Sequence, residues 1–457
     1  MANKIDALVY MWGYLPGALP DKSLLLSPEP VRLPGSTDGG DSWKEVCGGG
    51  CGFAMAISGQ IYLTSGKHGE IPEAFPFPTE DLVVKAVAGW AHCVSVTEAG
   101  EVYTWGWSEC IPSMKTLRDL AIGGGLLKDS TGKQSLTTTE QAGPQDSNGV
   151  DRMDDNKRVG EETAKRRKIN SVKEDTEISS PGDELFTTLP CLVNFGPGVK
   201  ITAVAAGGRH TLALSVSDMG QVWGWGHGGE GQLGLGTRVK MVSSPHIIPC
   251  IELPASAKDR SSVIYQGSKA AAGKVLGNYV KGIACGGRHS VVVTDTGALL
   301  TFGWGLYGQC GQGNTNDLLR PTCVSSLSST QVESISAGLW HTVCITAEGL
   351  VYAFGGNQFG QLGTGTDQGE TIPRLLDAPI LEGKRANRVS CGARHNVILT
   401  DDGQLFSWGW NKYGQLGLGD SIDRNIPSKV SIEGCLPRNI VCGWWHTLML
   451  AEVEPSK

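Results

Sequence analysis

No stretch of this sequence reaches the roughly eighteen consecutive apolar residues that a membrane-spanning helix needs. The apolar stretch near the N-terminus is interrupted by Asp6 and Pro16, so it does not read as a secretory leader either. A soluble, intracellular protein with no membrane partner is therefore expected. Excess positive charge is also lacking: the net charge is −7, which argues against a protein that coats nucleic acid through its overall field. The 13 cysteines are odd in number and include no Cys-x-x-Cys pair and no zinc-like Cys and His spacing. They fit a reducing compartment, where most serve as small buried hydrophobes. There is no Gly-x-Ser-x-Gly elbow and no Gly-Lys-Ser/Thr phosphate loop. No catalytic residue, cofactor or metal is expected, and the protein reads as a non-enzyme.

Glycine is what the sequence has in excess, 64 residues against 9 Phe and 9 Tyr, with no triplet period of the collagen kind. Many tight turns, and hence a β-rich fold, follow from that ratio. The turns recur in a repeat. Gly-x-x-His followed by a small residue and an apolar strand occurs at His92, His210, His289, His341, His395 and His446, as in "AGGRHTLAL" and "CGWWHTLML". A weaker copy, "CGGGCGFAMAI", has Cys51 in the histidine position. The last three intervals between histidines are 52, 54 and 51 residues, and longer ones mark insertions. About a dozen residues behind each copy comes a Gly turn and a strand ending in Trp-Gly or Phe-Gly, as in "GEVYTWG", "GALLTFG" and "GQLFSWG".

The copy at His446 has no such partner behind it, and the missing piece, "ALVYMWG", stands at residues 7–13. Alternating apolar residues give these segments the period of strands. Short segments with proline, such as "RPTCVSSL" and "IPSKVSI", supply an outer strand. Four strands and about fifty residues per unit describe a propeller blade, and a half-repeat at each end describes a closed ring. The expectation is an all-β fold: one seven-bladed β-propeller over residues 1–457, closed by pairing of its N-terminal strand with the C-terminal blade.

The Gly-x-x-His-Ser/Thr unit, the Val-Tyr-x-Trp-Gly unit and the loop "GQLGLG" at 231–236 and 414–419 resemble the repeat of the regulator of chromosome condensation family. Nearly the whole chain outside two insertions carries the pattern, and the loops "GYLPGALP", "GKHGEIP" and "GWSECIP" depart from it. The sequence is similar in particular to plant nuclear members of the family, including those linked to chromatin and to chilling and freezing tolerance. The first insertion, residues 108–185, has no aromatic residue in its polar stretch and is expected to be disordered. Within it, Lys157-Arg158 and Lys165-Arg166-Arg167-Lys168 match a nuclear-import signal read by an import receptor. Nuclear localisation follows, with a cytoplasmic pool allowed. The second insertion, 253–278, reads as a loop.

Six histidines at one repeat position would lie one per blade, too far apart to share a metal ion, and a structural hydrogen-bonding role is expected for them. The two positions between Gly and His vary from blade to blade while their neighbours stay fixed. They place Trp90, Arg209, Arg288, Leu339, Trp340, Arg394, Trp444 and Trp445 on one face. Arg and Trp are the residue types most enriched in binding hot spots, so this face is the candidate partner site.

The resemblance implies three functions. The first is a nuclear scaffold that binds histones, chromatin or other regulatory proteins through this face. The second is a guanine-nucleotide exchange factor for a Ran-type small GTPase. The third is an ultraviolet-B-sensing homodimer like the plant photoreceptors of the family, whose face uses Trp followed by Arg. No blade here has Trp followed by Arg, and few residues follow the last strand, which leaves no room for a long signalling tail. The scaffold is the expected function.

Overall fold

The computed structural model describes residues 7–14, 24–31, 44–50, 54–57, 61–65, 69–75, 77–112, 186–215, 220–249 and 279–453. Two compact units make up the chain: Met1–Ser113 with Glu184–Lys457, and Met114–Asp183, which lies outside the described residues. The first unit is an all-β propeller of four-stranded antiparallel sheets, seven in number. Six are built on the repeat histidine and are named here by it. The seventh sheet, Glu45–Gly48 to Gly69–Phe75, lies in sequence before the His92 blade and has Cys51 in place of the repeat histidine.

The expected seven-bladed propeller is corrected at that sheet. Six blades carry the histidine of the repeat, and the remaining sheet completes the ring without it. The reason lies in its sequence, which has Cys51 and Gly52 where a His and a hydroxyl or amide residue stand in most other units. Cys51 and Gly52 themselves lie outside the described residues.

The N-terminal strand Ala7–Gly13 pairs antiparallel with His446–Val453 along its whole length, from Ala7 opposite Glu452 to Gly13 opposite His446. Strand Leu25–Val31 then adds outside it, so the His446 blade is made from both ends of the chain. Trp12 and Met11 sit in the core of this blade with Leu448 and Leu450. Every outer strand of the ring carries a proline, for example Pro321, Pro373 and Pro427, and each pairs with its neighbour through a register irregularity. Proline removes an edge donor, and the bulge twists the edge, so the rim is guarded against pairing with other chains.

At the inner end of the blades the Gly-x-x-His loops bond to one another in sequence around the ring. The backbone N–H groups of Gly50, Trp90, Gly208, Gly287, Leu339, Ala393 and Trp444 donate to the carbonyls of Gly89, Gly207, Gly286, Gly338, Ala393, Trp444 and Gly49, at 2.8 to 3.3 Å. This close approach is why the repeat glycine is needed. A Cβ on Gly89 would lie 2.3 Å from the Gly207 carbonyl, and one on Gly286 would lie 2.2 Å from the ring of His289. Small residues and thiols, among them Cys285, Cys391 and Cys442, line the central channel below. Burial pushes the thiols of Cys285 and Cys442 up to about 12, so they stay protonated and unreactive.

The six histidines are buried, and five of them bind each blade to the next. Nε2 of His92, His210, His289, His341 and His395 meets Thr211, Ser290, Thr342, Asn396 and Thr447 at 2.7 to 3.0 Å. Ser290, Thr342, Asn396 and Thr447 in turn donate to the carbonyls of Gln232, Gln309, Gln361 and Gln415. Because those four hydroxyl and amide groups spend their hydrogens on the glutamine carbonyls, the imidazoles of His210, His289, His341 and His395 must donate from Nε2, and their Nδ1 carries the lone pair. Nδ1 of all five linking rings has no partner. An orphaned acceptor is tolerable, whereas an orphaned N–H in that place would be costly.

Candidate functional site: an arginine and aromatic face

Each Gly-x-x-His loop is held beside the loop that follows its partner strand. The N–H groups of Trp107, His227, Trp304, Gly356, Trp410 and Tyr14 donate to the carbonyls of Ala91, Arg209, Arg288, Trp340, Arg394 and Trp445. The residue after the Trp-Gly or Phe-Gly pair therefore stands next to the variable position before His. This brings to the face a second set of aromatics that the repeat reading did not single out: Trp107, Trp304, Trp410, Tyr307, Phe359 and Tyr413. A signal for them exists in the sequence, in "YTWGW", "TFGWG" and "SWGW" and in the aromatic two residues before Gln in "LYGQ", "QFGQ" and "KYGQ".

The arginines lie on these rings. The guanidinium of Arg209 is 5.2 Å from the Trp107 centroid and that of Arg288 is 5.2 Å from Trp304. Arg394 is packed among three rings, at 4.8 Å from Trp340, 4.6 Å from Phe359 and 5.5 Å from Trp410. Each such contact is worth about 0.5–1 kcal/mol at an exposed site. Tyr307 stacks on Trp340 at 5.0 Å and meets Trp304 edge-on at 5.4 Å. From Phe359 the rings continue through Trp410 and Tyr413 to Tyr14, each step between 5.3 and 5.7 Å. An aromatic arc thus runs from the His289 blade to the His446 blade, joined in its middle by Arg394.

The other side of the face is closed differently. Trp90 and Trp444 stack at 4.9 Å, with 27° between their planes, although a whole sheet separates their blades. Gly49 and Gly50 occupy the intervening positions and have no side chains to keep them apart. A Cβ on Gly50 would stand 2.7 Å from the Trp90 ring. Leu339 and Trp445 are half-buried at the same level. The structure therefore brings all eight sequence-predicted face residues to the Gly-x-x-His loops at the inner ends of the blades, and the import-signal residues Lys157, Arg158 and Lys165 to Lys168 lie outside the described residues.

The profile of the RCC1-like domain matches residues 174–449. The chain belongs to the RCC1-like domain family. This RCC1-like propeller is 29% identical over 422 residues to the ultraviolet-B receptor UVR8 of Arabidopsis thaliana, covering 86% of the chain and 84% of the receptor. It is 32% identical over 245 residues to the human E3 ubiquitin-protein ligase HERC2, covering 53% of the chain but only 4% of the ligase. Among solved structures it is similar to Prp20p from Saccharomyces cerevisiae, with a TM-score of 0.69 at 17% identity over 99% of the chain and 93% of Prp20p. Human WBSCR16 gives a TM-score of 0.66 at 19% identity over 98% of the chain and all of that protein. At those identities the structures establish the shared fold.

Two features of the RCC1-like face differ from what its sequence suggests. Trp and Arg are not neighbours in the chain, yet they are neighbours in space, because the ring comes from a different loop. The arginines are also not open cations. Arg288 binds Glu230 at 3.1 Å and Arg209 lies 3.5 Å from Glu109. Glu109 belongs to a 3-10 turn, Ser108–Cys110, with Cys110 buried beneath it. The insertion expected from residue 108 therefore begins later, and its first residues build the face. Glu230 is held down to about 2, first by its hydrogen bond with His227 and then by Gln232 and Arg288, against the opposing effect of partial burial. It is ionised at every physiological pH and neutralises Arg288 within the propeller. Among the described residues no group of three His, Cys, Asp or Glu side chains is placed to hold a metal.

Proposed function

We propose that this RCC1-like propeller is a non-enzymatic scaffold of the nucleus that binds regulatory or chromatin proteins through its arginine and aromatic face. The observation that carries this is Arg394 seated among Trp340, Phe359 and Trp410, in line with the aromatic arc. Rigid rings with an immobilised guanidinium on one face are hot-spot chemistry, since little side-chain entropy remains to be lost on binding. The pairing of Arg209 and Arg288 with carboxylates suits a partner of mixed charge better than a uniformly acidic one. Prp20p, whose fold is shared, has binding properties to Gsp1p and histones, and it has been seen bound to Kap60. Histones, from that likeness, and an import receptor, from the basic motif at Lys165 to Lys168, are the partner classes proposed for this chain.

A pull-down from nuclear extract tests the face. Arg394→Ala is expected to weaken partner capture about tenfold or more, and Trp340→Ala comparably at every salt concentration, while Arg209→Ala and Arg288→Ala act less and reduce the salt dependence. Equal capture by all four variants would reject the face as the binding surface. Stimulated nucleotide release from a Ran-type GTPase at catalytic protein concentrations would replace the scaffold reading with an exchange factor. The Arg–Trp contacts, together with the likeness to UVR8, favour one further reading, an ultraviolet-B-sensitive homodimer. Dissociation of a dimer under ultraviolet-B, followed by size-exclusion chromatography, would establish it.

Nuclear residence is proposed to depend on the insertion. Replacing Lys165, Arg166, Arg167 and Lys168 with Ala is expected to abolish nuclear accumulation of a fluorescent fusion and leave the denaturation midpoint unchanged. Unchanged accumulation would exclude the signal.

A further inference from the structure

The histidine links between blades are not distributed evenly. Among the described residues five junctions have one, and the two junctions that flank the sheet lacking the repeat histidine do not. On one side, His446 Nε2 is buried and has no hydrogen-bond partner among the described residues, although Nε2 is the bonded nitrogen of the other five rings. The residue at the receiving position of the next sheet is Gly52, where the blades from His210 to His446 have Thr211, Ser290, Thr342, Asn396 and Thr447. On the other side both members of the link are replaced. Cys51 takes the donor position and Cys93, in the His92 blade, takes the receiving one.

Backbone hydrogen bonds and packing hold the sheet in the ring. Gly50 donates to the Gly89 carbonyl at 2.8 Å and Trp444 to the Gly49 carbonyl at 3.1 Å. Val46 packs into the core of the His446 blade, and Cys47 packs with Ile57, Cys93 and Trp105 on the His92 side. The equivalent junctions elsewhere have these two kinds of contact and the buried histidine link as well.

We propose that the propeller has a built-in seam: the sheet of strands Glu45–Gly48, Ala54–Ile57, Ile61–Ser65 and Gly69–Phe75 opens from the ring at lower cost than any blade with the repeat histidine, because neither of its junctions has the histidine link. Regions of low local stability open as cooperative units, and a junction short of a buried hydrogen-bond relay is where a ring yields first. Opening there reaches the face directly. Trp90 and Trp444 stack across Gly49 and Gly50, so movement of this sheet separates the two rings. The seam stands on the junction geometry and is independent of the binding function proposed above.

Hydrogen exchange of the full chain, read by mass spectrometry under native conditions, tests the seam. Amides of Glu45–Gly48 and Ala54–Ile57 are expected to show protection at least tenfold below those of His341–Thr346 and His395–Thr400. Two variants extend the test. Gly52→Thr restores the residue type that the repeat has at this position and is expected to raise protection in Glu45–Gly48 and Ala54–Ile57 severalfold, with no change around His341. Thr342→Val removes an existing link and is expected to create a second seam, with faster exchange in His289–Thr294 and Val332–Ala337. Protection of Glu45–Ile57 equal to or above that of the His341 blade in the unaltered protein overturns the proposal, and so does Thr342→Val exchanging like the parent. Those two measurements decide the matter even if Gly52→Thr does not fold.

Discussion

Deleting residues 1–13 is expected to destroy cooperative folding of the propeller. The deletion removes the strand that pairs with His446–Val453 at seven positions, and with it Trp12, Met11 and Val9, which are buried at 4% exposure or less. Burial of one such side chain is worth roughly 1.5–3 kcal/mol, and three of them approach the whole stability of an ordinary domain. The loss also leaves the edges of His446–Val453 and Leu25–Val31 unpaired, and such edges template aggregation. Chemical denaturation of the truncated protein should show no native baseline or a much lower midpoint. A midpoint equal to that of the intact chain would exclude closure by this strand.

Acid is expected to be nearly as damaging, through the six buried histidines. Burial lowers His92, His341 and His446 to about 4 and His210, His289 and His395 to about 3, against an ordinary value of 6.5. The unfolded chain therefore takes up protons near pH 6.5, while the folded chain resists until pH 3 to 4. The stability these groups contribute is fully present above pH 6.5 and is lost as pH falls toward their folded values. Each histidine costs up to about 1.4 kcal/mol per pH unit in that window, so six acting together exceed the stability of most domains before pH 4.5. The physical cause is direct. A second ring proton, on Nδ1 in five of the rings and on Nε2 where Nδ1 of His446 is the bonded nitrogen, would place a charge and an orphaned donor where the ring has no partner. Denaturation midpoints measured from pH 7.5 to 4.5 should fall steeply below about 6.5, and His289→Gln should reduce the slope by one proton. A flat profile down to pH 5 would contradict the account.

Much of the architecture was legible because a repeat declares itself. Spacing of Gly-x-x-His and Trp-Gly units is enough to predict strands, blades and a ring, and the stray half-repeat at residues 7–13 predicts how the ring closes. Position relative to the repeat also separates face residues such as Trp90 and Arg394 from the core residues Trp105 and Trp408. The weak copy at Cys51 was legible as a departure. Its consequence for His446 was not, since an unpartnered nitrogen depends on what the neighbouring blade offers.

Composition and periodicity by themselves determined that this chain is an all-β propeller whose variable loop positions share one face. Tertiary structure alone decided what those positions touch. Arg394 finds Trp340 in the preceding blade and Trp410 in the next loop of its own. Arg288 finds Glu230 58 residues earlier, and Trp90 finds Trp444 across a sheet that has only glycine there. Strand periodicity is a local property, fixed by which side of a pleat each residue occupies, so it can be read along the chain. Contact between loops depends on the closed ring, which sets residues far apart in sequence a few ångströms apart, and no local pattern records that distance.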